Sequence, residues 1–146
     1  MRRPKPRRWH AAATDGTAEV TTVPFISTEH DLYLGKVVDS GHCVRFLQVC
    51  AAVPHTSTWK RGMPVRGSGA GPGTCIAAFD DNGQYGNHVD GSSHAAILLA
   101  ENSDGLLVCD QWVGHPVAHR TLRYRSGAGD AANDGDRFHI IESATA

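Results

Sequence analysis

One segment of this chain has the pattern of an α-helix, and the regular segments after it have the pattern of β-strands. The helical segment covers residues 41–53, GHCVRFLQVCAAV, where Asp39 or Ser40 can cap the N-terminus and Pro54 ends the helix. Apolar side chains cover most of its circumference. A helix that is apolar nearly all round is buried on more than one side, so the rest of the chain is expected to pack around it.

Short apolar segments follow the helix and predict an antiparallel sheet. Strand character is found at residues 74–79, 94–100, 106–112, 118–124 and 137–142. Residues 55–73 are rich in turn formers and predict a long irregular connection, whereas residues 80–93 form a polar, glycine-rich loop of the kind that often carries function. This order predicts an α+β domain in which the buried helix packs on a sheet or small barrel of four to six antiparallel strands.

Length and charge exclude several classes of protein. The 146 residues suit one domain, and no apolar run approaches the ~20 residues of a membrane-spanning helix. A net charge of −1 argues against a nucleic-acid-binding protein. Basic residues are concentrated at the start, so we predict a basic tail and lead-in over residues 1–24 and a single domain over residues 25–146. No apolar h-region follows the basic residues, so synthesis in the cytoplasm without a conventional export signal is expected.

Four cysteines are present, and only one lies where reactivity is favoured. No C-x-x-C pair occurs, so the usual spacing of a structural zinc site is absent, and we predict neither a metal nor another cofactor. Cys50, Cys75 and Cys109 are predicted core residues, and whether Cys75 and Cys109 pair is left open. Cys43 falls in the first turn of the helix, where free N–H groups and the helix dipole favour a thiolate and can stabilise an oxyanion.

A thiol nucleophile needs an imidazole beside it and a third group that orients the imidazole. His94 opens an apolar strand directly after the glycine-rich loop, and the next strand offers Asp110 and Gln111. If the hairpin loop is residues 103–105, His94 shares a face with Asp110; if it is residues 104–105, His94 shares a face with Gln111. We prefer Asp110, because a carboxylate also stabilises the imidazolium, but the sequence leaves both open.

Three short motifs around these residues occur in a fixed order. They are Gly41-His42-Cys43-Val44, Ser93-His94-Ala95-Ala96-Ile97-Leu98-Leu99 and Val108-Cys109-Asp110-Gln111-Trp112. Together they resemble the papain-like NlpC and CHAP superfamily of bacterial cell-wall amidases, in which the first motif supplies the nucleophile, the second the base and the third the orienting residue. The resemblance covers residues 33–124 and is greatest to the small type VI secretion amidase effectors.

The resemblance implies a papain-like fold and a cysteine amidase or peptidase that cleaves amide bonds in peptidoglycan stem peptides or cross-links. The implied catalytic residues are Cys43, His94 and Asp110, with Gln111 as an alternative third member. Further oxyanion or substrate contacts are expected from Tyr33, Trp59, Trp112 and the loop 80–93. A cognate immunity protein, a secretion apparatus and action in the periplasm of a target cell are implied as well, with no nucleic acid or membrane as partner.

Two other interpretations compete with the amidase. One is a metal-dependent hydrolase that uses the histidine-rich loop (His88, Asp90 and His94), with His115 and His119 as a further pair and Asp80, Asn82 and Asp90 as a loose echo of a calcium loop. The other is a catalytically inactive papain-like module that binds a partner through the same core. Selective alkylation of Cys43, unaffected by a chelator, would favour the amidase.

Overall fold

Seven strands and one α-helix form the regular structure of residues 21–145, the part of the chain that the computed structural model describes. Helix α1 is Cys43–Ala51, and a 3₁₀ turn, η1, is His30–Tyr33. The strands are β1 (Thr21–Pro24), β2 (Lys60–Pro64), β3 (Cys75–Ala78), β4 (His94–Glu101), β5 (Gly105–Trp112), β6 (His115–Arg123) and β7 (Phe138–Thr145). Among these residues, no helix has the length and apolar character needed to cross a membrane.

All strand pairs are antiparallel and form one sheet in the order β1-β7-β3-β4-β5-β6, with β2 also paired to β7. The predicted α+β class is therefore confirmed, but the prediction of four to six strands was too low. The two additional strands, β1 and β2, lie in segments that were predicted as lead-in and irregular connection. Residues 1–20, most of the predicted tail, lie outside the described residues, and the last four residues of the predicted lead-in form strand β1.

Strand β2 was missed because its sequence, KRGMP, has the composition of a turn. Its backbone pairs with β7, where Lys60 lies opposite Glu142 and Arg61 opposite Ile141. A Cβ atom at Gly62 would come within 2.7 Å of a carbonyl oxygen of β7, so glycine allows the close approach of the two backbones. A strand that is defined by backbone pairing rather than by buried side chains leaves no alternating pattern in the sequence.

The central strands are buried on both faces, which explains their uninterrupted apolar sequences. On one face, α1 packs against alternate residues of β3, β4 and β5, including Cys75, Ile97 and Cys109; we call this the helix-side core. The opposite face carries Ile76, Leu98 and neighbouring side chains in a second core. The two cores hold the sheet rigid on both sides of the strands that carry His94 and Asp110.

Helix α1 begins two residues later than the sequence predicted and is less deeply buried. Its N-cap is His42, without a side-chain cap hydrogen bond, whereas Asp39, one of the predicted caps, pairs with the exposed Arg45. Phe46 and Leu47 are fully buried, but Val49 is 44% exposed. One face of the helix therefore meets solvent, so α1 is less buried than its largely apolar circumference suggested.

A disulfide between Cys75 and Cys109 is excluded by the strand order. Cys75 lies opposite Ile97 in the β3–β4 pair, and Ile97 lies opposite Cys109 in the β4–β5 pair. The two cysteines are thus two strand spacings apart, roughly 9.6 Å, which exceeds the span of about 7 Å that a disulfide can bridge. All four thiols are free.

Candidate active site

Cys43 is the first residue of α1, so its sulfur lies where the N–H groups of the first helical turn lack partners within the helix. The thiol is partly exposed, and the neighbouring imidazole of His94 lowers its pKa. Its Sγ also lies 3.7 Å from the hydroxyl oxygen of Tyr85. A thiol, an imidazole and a phenol hydroxyl therefore meet at the N-terminus of the helix.

His94 and Asp110 lie beside each other on one face of the β4–β5 hairpin, with 2.7 Å between Nε2 and Oδ2 and with only 5% and 0% exposure. Near the turn, Glu101 lies opposite Leu106, a register that would place Gln111 on the face of His94. A β-bulge further along the hairpin shifts this register by one residue and brings Asp110 to His94 instead. Because Asp110 engages Nε2, the Nδ1 atom of His94 is left to exchange a proton with the thiol.

Arg120, on the neighbouring strand β6, is a member of the site that the sequence did not single out. Its Nε donates to Asp110 Oδ2 at 2.8 Å, so one carboxylate oxygen serves both the guanidinium and His94. The guanidinium also lies over the ring of Trp112, 4.7 Å from its centroid. A buried carboxylate needs a compensating charge, and Arg120 supplies it.

The electrostatics of the site favour a charged pair of thiolate and imidazolium. Burial raises the pKa of the Cys43 thiol, but hydrogen bonds from His94, Ala95 N–H and Tyr85, together with the charge of His94, outweigh burial and hold the pKa below its ordinary value. Burial lowers the pKa of His94, but hydrogen bonds and charges of Asp110 and Cys43 outweigh it and raise the pKa to about 9. Each group therefore stabilises the charged form of the other.

Gln111 is the predicted alternative to Asp110. Its side chain hydrogen-bonds to the segment that leads into α1, and His94 is not one of its hydrogen-bond partners. Its Oε1 accepts from Val38 N at 2.8 Å, and its Nε2 donates to the carbonyl oxygens of Val38 and His42, each at 2.9 Å. Gln111 is fully buried. It therefore holds the backbone immediately before Cys43 in place. The alternation of side chains along β5 did not predict this role.

The aromatic contacts differ from those that the sequence suggested. Tyr33 packs edge-on against Phe46 of the helix-side core, with 6.1 Å between ring centroids, whereas Tyr85 is the tyrosine that reaches Cys43. Trp59 is only 4% exposed and packs on Tyr85, so it supports this tyrosine from behind and does not border a substrate groove. Tyr85 was missed because the loop 80–93 carries no periodic pattern that would place it.

A cavity of about 420 Å³ opens beside the thiol. Its walls include Cys43, His94, Trp112 and Arg120, together with Asn87 and neighbouring residues of the loop 80–93. Trp112 and this loop therefore lie where the sequence predicted substrate contacts. Val89, at 93% exposure, stands on the rim and presents an apolar surface to whatever enters.

The metal-binding alternatives do not converge. The imidazole of His94 hydrogen-bonds to Asp110 and interacts with Cys43. His88 pairs with Asp80, with 3.0 Å between Nε2 and Oδ2. Asp90 accepts from the backbone and side chain of Ser92, which follows it in the same turn. These carboxylates therefore stabilise the glycine-rich loop, and the predicted histidine cluster is not assembled.

Comparison with known proteins gives one consistent result. Residues 17–141 match the family described as domesticated amidase effector 2. The type VI secretion amidase effector 2 protein of Salmonella typhi is 33% identical over 115 residues, which are 76% of this chain and 85% of that protein. Domesticated amidase effector 2 of Ixodes scapularis is 37% identical over 110 residues, 72% of this chain and 73% of that protein.

The fold agrees with these relatives. The solved structure of type 6 secretion amidase effector 2 (Tae2) has a TM-score of 0.69 and 28% sequence identity, covering 82% of this chain and 94% of that chain. The resemblance to type VI secretion amidase effectors that the three motifs indicated is thereby confirmed. By the extent of these matches, the chain belongs to the domesticated amidase effector 2 family.

Proposed function

We propose that this protein is a cysteine amidase that hydrolyses amide bonds in peptidoglycan stem peptides or cross-links, with Cys43, His94 and Asp110 as its catalytic residues. The observation that carries the proposal is that Cys43 and His94 line one cavity, that His94 hydrogen-bonds to the buried Asp110, and that His94 lowers the pKa of the thiol. A cysteine on a helix N-terminus, with histidine and aspartate on adjacent strands, also supports a papain-like architecture.

In the first half of the reaction, the Cys43 thiolate attacks the carbonyl carbon of the substrate amide, and the π electrons of the carbonyl move onto oxygen. The backbone N–H of Cys43 lacks a partner within the helix and can donate to this oxyanion. The hydroxyl of Tyr85 is a second donor within reach of the sulfur. The His94 imidazolium then gives its proton to the amine as the C–N bond breaks, which leaves a thioester on Cys43.

In the second half, neutral His94 accepts a proton from water as the water oxygen attacks the thioester carbon. The C–S bond breaks, the carboxylic acid leaves, and the proton on His94 restores the thiolate–imidazolium pair. Asp110 keeps Nε2 of His94 protonated throughout, so the nitrogen facing Cys43 alternates between donor and acceptor. Arg120 donates to the same carboxylate oxygen and holds it beside His94 during both halves.

The relatives indicate where such an activity would be used. One of them is described as a type VI secretion effector, so we extend to this chain delivery by a secretion apparatus into the periplasm of a target cell. A wall hydrolase made in the producing cell also calls for a cognate immunity protein as a partner. Co-purification of the chain from its native host tests for that partner.

Digestion of purified sacculi tests the amidase directly. The wild-type protein should release peptide fragments with new amino and carboxyl ends, which mass spectrometry identifies, whereas Cys43→Ala should lower the rate at least about 10⁴-fold. Cys75→Ala is the matched control, because it removes a buried thiol that is remote from His94 in the helix-side core.

Thermal unfolding separates the two roles that Cys43 could have. If the sulfur is the nucleophile, Cys43→Ala loses hydrolysis and keeps the wild-type melting temperature within a few degrees. Intact sacculi with the wild-type protein would reject the amidase and favour an inactive papain-like binding module. Full activity in Cys43→Ala would instead reject Cys43 as the nucleophile.

A further inference from the structure

Three side chains with metal-binding atoms meet outside the active-site cavity. They are Asp31, Cys109 and His119, whose carboxylate oxygen, sulfur and imidazole nitrogen all lie within 4.8 Å of one another. Within this set, His119 Nε2 lies 2.9 Å from Asp31 Oδ1. The walls of the cavity beside Cys43 do not include any of the three.

The strand register accounts for this meeting. Cys109 of β5 and His119 of β6 are direct partners in the antiparallel ladder, so their side chains lie next to each other on the same face of the sheet. Asp31 comes from η1, and backbone hydrogen bonds between Val117 of β6 and residues 35–36 hold the chain just after η1 against the sheet. Three separate parts of the chain therefore deliver one donor atom each, and rigid backbone pairing holds two of them.

The types of donor narrow the ligand. A thiolate sulfur is a soft ligand, an imidazole nitrogen is intermediate and a carboxylate oxygen is hard, and Zn²⁺ accepts all three in tetrahedral sites. Calcium and magnesium prefer oxygen alone, so the sulfur excludes them. Cys109 is fully buried, which prevents attack on an extended substrate but leaves it able to bind an ion.

We propose that Asp31, Cys109 and His119 bind one Zn²⁺ ion, which ties η1 to strands β5 and β6. On binding, the Cys109 thiol loses its proton to solvent and the sulfur bonds to zinc, while the hydrogen bond between His119 and Asp31 gives way to one zinc bond from each side chain. Water completes the fourth position, because the side chains of Asp31 and His119 are 60% and 40% exposed.

Little movement is needed to reach this arrangement. Tetrahedral zinc holds such donor atoms about 3.5 Å apart, so closing the observed set takes shifts of roughly 1 Å. A further imidazole is nearby, since Nε2 of His30 lies 3.8 Å from the same oxygen of Asp31.

The ion acts as a clamp rather than as a reactant. Successive residues of a strand point to opposite faces, so Asp110 and Arg120, which follow Cys109 and His119, lie on the other side of the sheet. Zinc would therefore fix the two strands that carry Asp110 and Arg120 without touching the reacting atoms.

The test uses the full chain carrying Cys43→Ala, so that the thiolate–imidazolium pair of the active site cannot compete for metal. Co²⁺ and then Zn²⁺ are titrated into the reduced, metal-free protein. One equivalent of Co²⁺ should produce thiolate-to-cobalt charge-transfer absorption and tetrahedral ligand-field bands, and Zn²⁺ should displace it. At free Zn²⁺ about 100-fold above Kd, the melting temperature should rise by roughly 10 °C.

Matched variants assign the ligands. In the same background, Cys109→Ser should abolish the charge-transfer band, and His119→Ala and Asp31→Asn should each weaken binding at least about 100-fold. His55→Ala, which removes an exposed histidine elsewhere, should bind as the parent does. His119→Ala and Asp31→Asn alter exposed side chains, so they decide the question even if Cys109→Ser fails to fold. Absence of a charge-transfer band at one equivalent, or the parent's affinity in His119→Ala, would overturn the proposal.

Discussion

The molecule contains the same three residue types, cysteine, histidine and aspartate, in two places, and their burial is reversed between them. In the Cys43 group (Cys43, His94 and Asp110), the sulfur is partly exposed, while the histidine and aspartate are 5% and 0% exposed. In the Cys109 group (Asp31, Cys109 and His119), the sulfur is fully buried, whereas the side chains of Asp31 and His119 are 60% and 40% exposed.

The pKa values of the two thiols are shifted in opposite directions, in keeping with this reversal of burial. In the Cys43 group, hydrogen bonds from His94 and from the backbone outweigh burial and lower the pKa of Cys43. In the Cys109 group, burial and the negative charge of Asp31 raise the pKa of Cys109 to about 12. Residue identity alone therefore does not make a catalytic triad. A low-pKa sulfur needs a buried, charge-compensated imidazole and a route to solvent.

Replacement of the buried carboxylate should give the largest effect among the changes that leave the nucleophile in place. Asp110→Asn removes the charge that stabilises the His94 imidazolium and that keeps Nε2 protonated, so kcat should fall about 10³–10⁴-fold. Progress curves on sacculi or on a peptide fragment identified from them measure this fall.

Asp81→Asn is the control for that change, because Asp81 is a fully exposed carboxylate whose nearest ion-pair partner, Arg137, is 3.8 Å away. Its rate should stay within about twofold of wild type, as surface ion pairs of this kind contribute little. If Asp110→Asn keeps its fold and loses less than tenfold in kcat, the function of His94 does not depend on the carboxylate of Asp110. Burial of the aspartate would then not be what distinguishes the Cys43 group from the Cys109 group.

Alkylation compares the two sulfurs in one sample. At pH 6, iodoacetamide should modify Cys43 at least about 100-fold faster than Cys109, because the thiolate is the reactive form and only Cys43 combines a lowered pKa with access to solvent. Peptide mapping after timed quenching gives both rates, and Cys50 and Cys75 serve as buried references. Equal, slow modification of all four thiols would contradict an activated Cys43.

How far the sequence predicts this site depends on the range of each interaction. The position of Cys43 near a helix start and of His94 at a strand start follows from local patterns, and the short motifs contain both residues. The choice between Asp110 and Gln111 depends on a β-bulge between Leu98 and Ala100, where the apolar run shows no break. A one-residue shift reverses every side chain beyond it, so no amount of alternation in the sequence could decide the pairing.

Contacts through loops were harder still. Tyr85 reaches Cys43 across 42 positions from a loop without periodicity, and Arg120 reaches Asp110 only because β6 pairs with β5 in one register. The family resemblance implied Tyr33 as a tyrosine of the site, because Tyr33 lies upstream of the cysteine along the chain. In an antiparallel sheet, residues far apart along the chain become neighbours, so separation in sequence says little about which residues are in contact.

The pH dependence tests the charged pair of the Cys43 group. The His94 imidazolium protonates the leaving amine, so kcat/KM should fall about tenfold per pH unit above the His94 pKa of about 9. The acid side should fall only below the lowered pKa of Cys43, where the thiolate is lost. Because Asp110 raises the pKa of His94, the alkaline fall should begin at lower pH in Asp110→Asn. A profile that still rises beyond pH 10 would mean that neutral His94 suffices.

Removal of one hydroxyl should give the smallest effect and should distinguish the two tyrosines. Tyr85→Phe keeps the ring packed on Trp59 and Phe79 but removes the hydrogen bond that lowers the pKa of Cys43. One hydrogen bond contributes about 0.5–1.5 kcal/mol, so kcat should fall roughly 2–12-fold, and the acid side of the pH profile should move to higher pH. Tyr33→Phe is the matched control, because its ring packs on Phe46 in the core, and its rate should match wild type. The reverse result, with Tyr33→Phe slower than Tyr85→Phe, would contradict the role of Tyr85. The hydroxyl of Tyr33 would then be the one that assists the attack by Cys43.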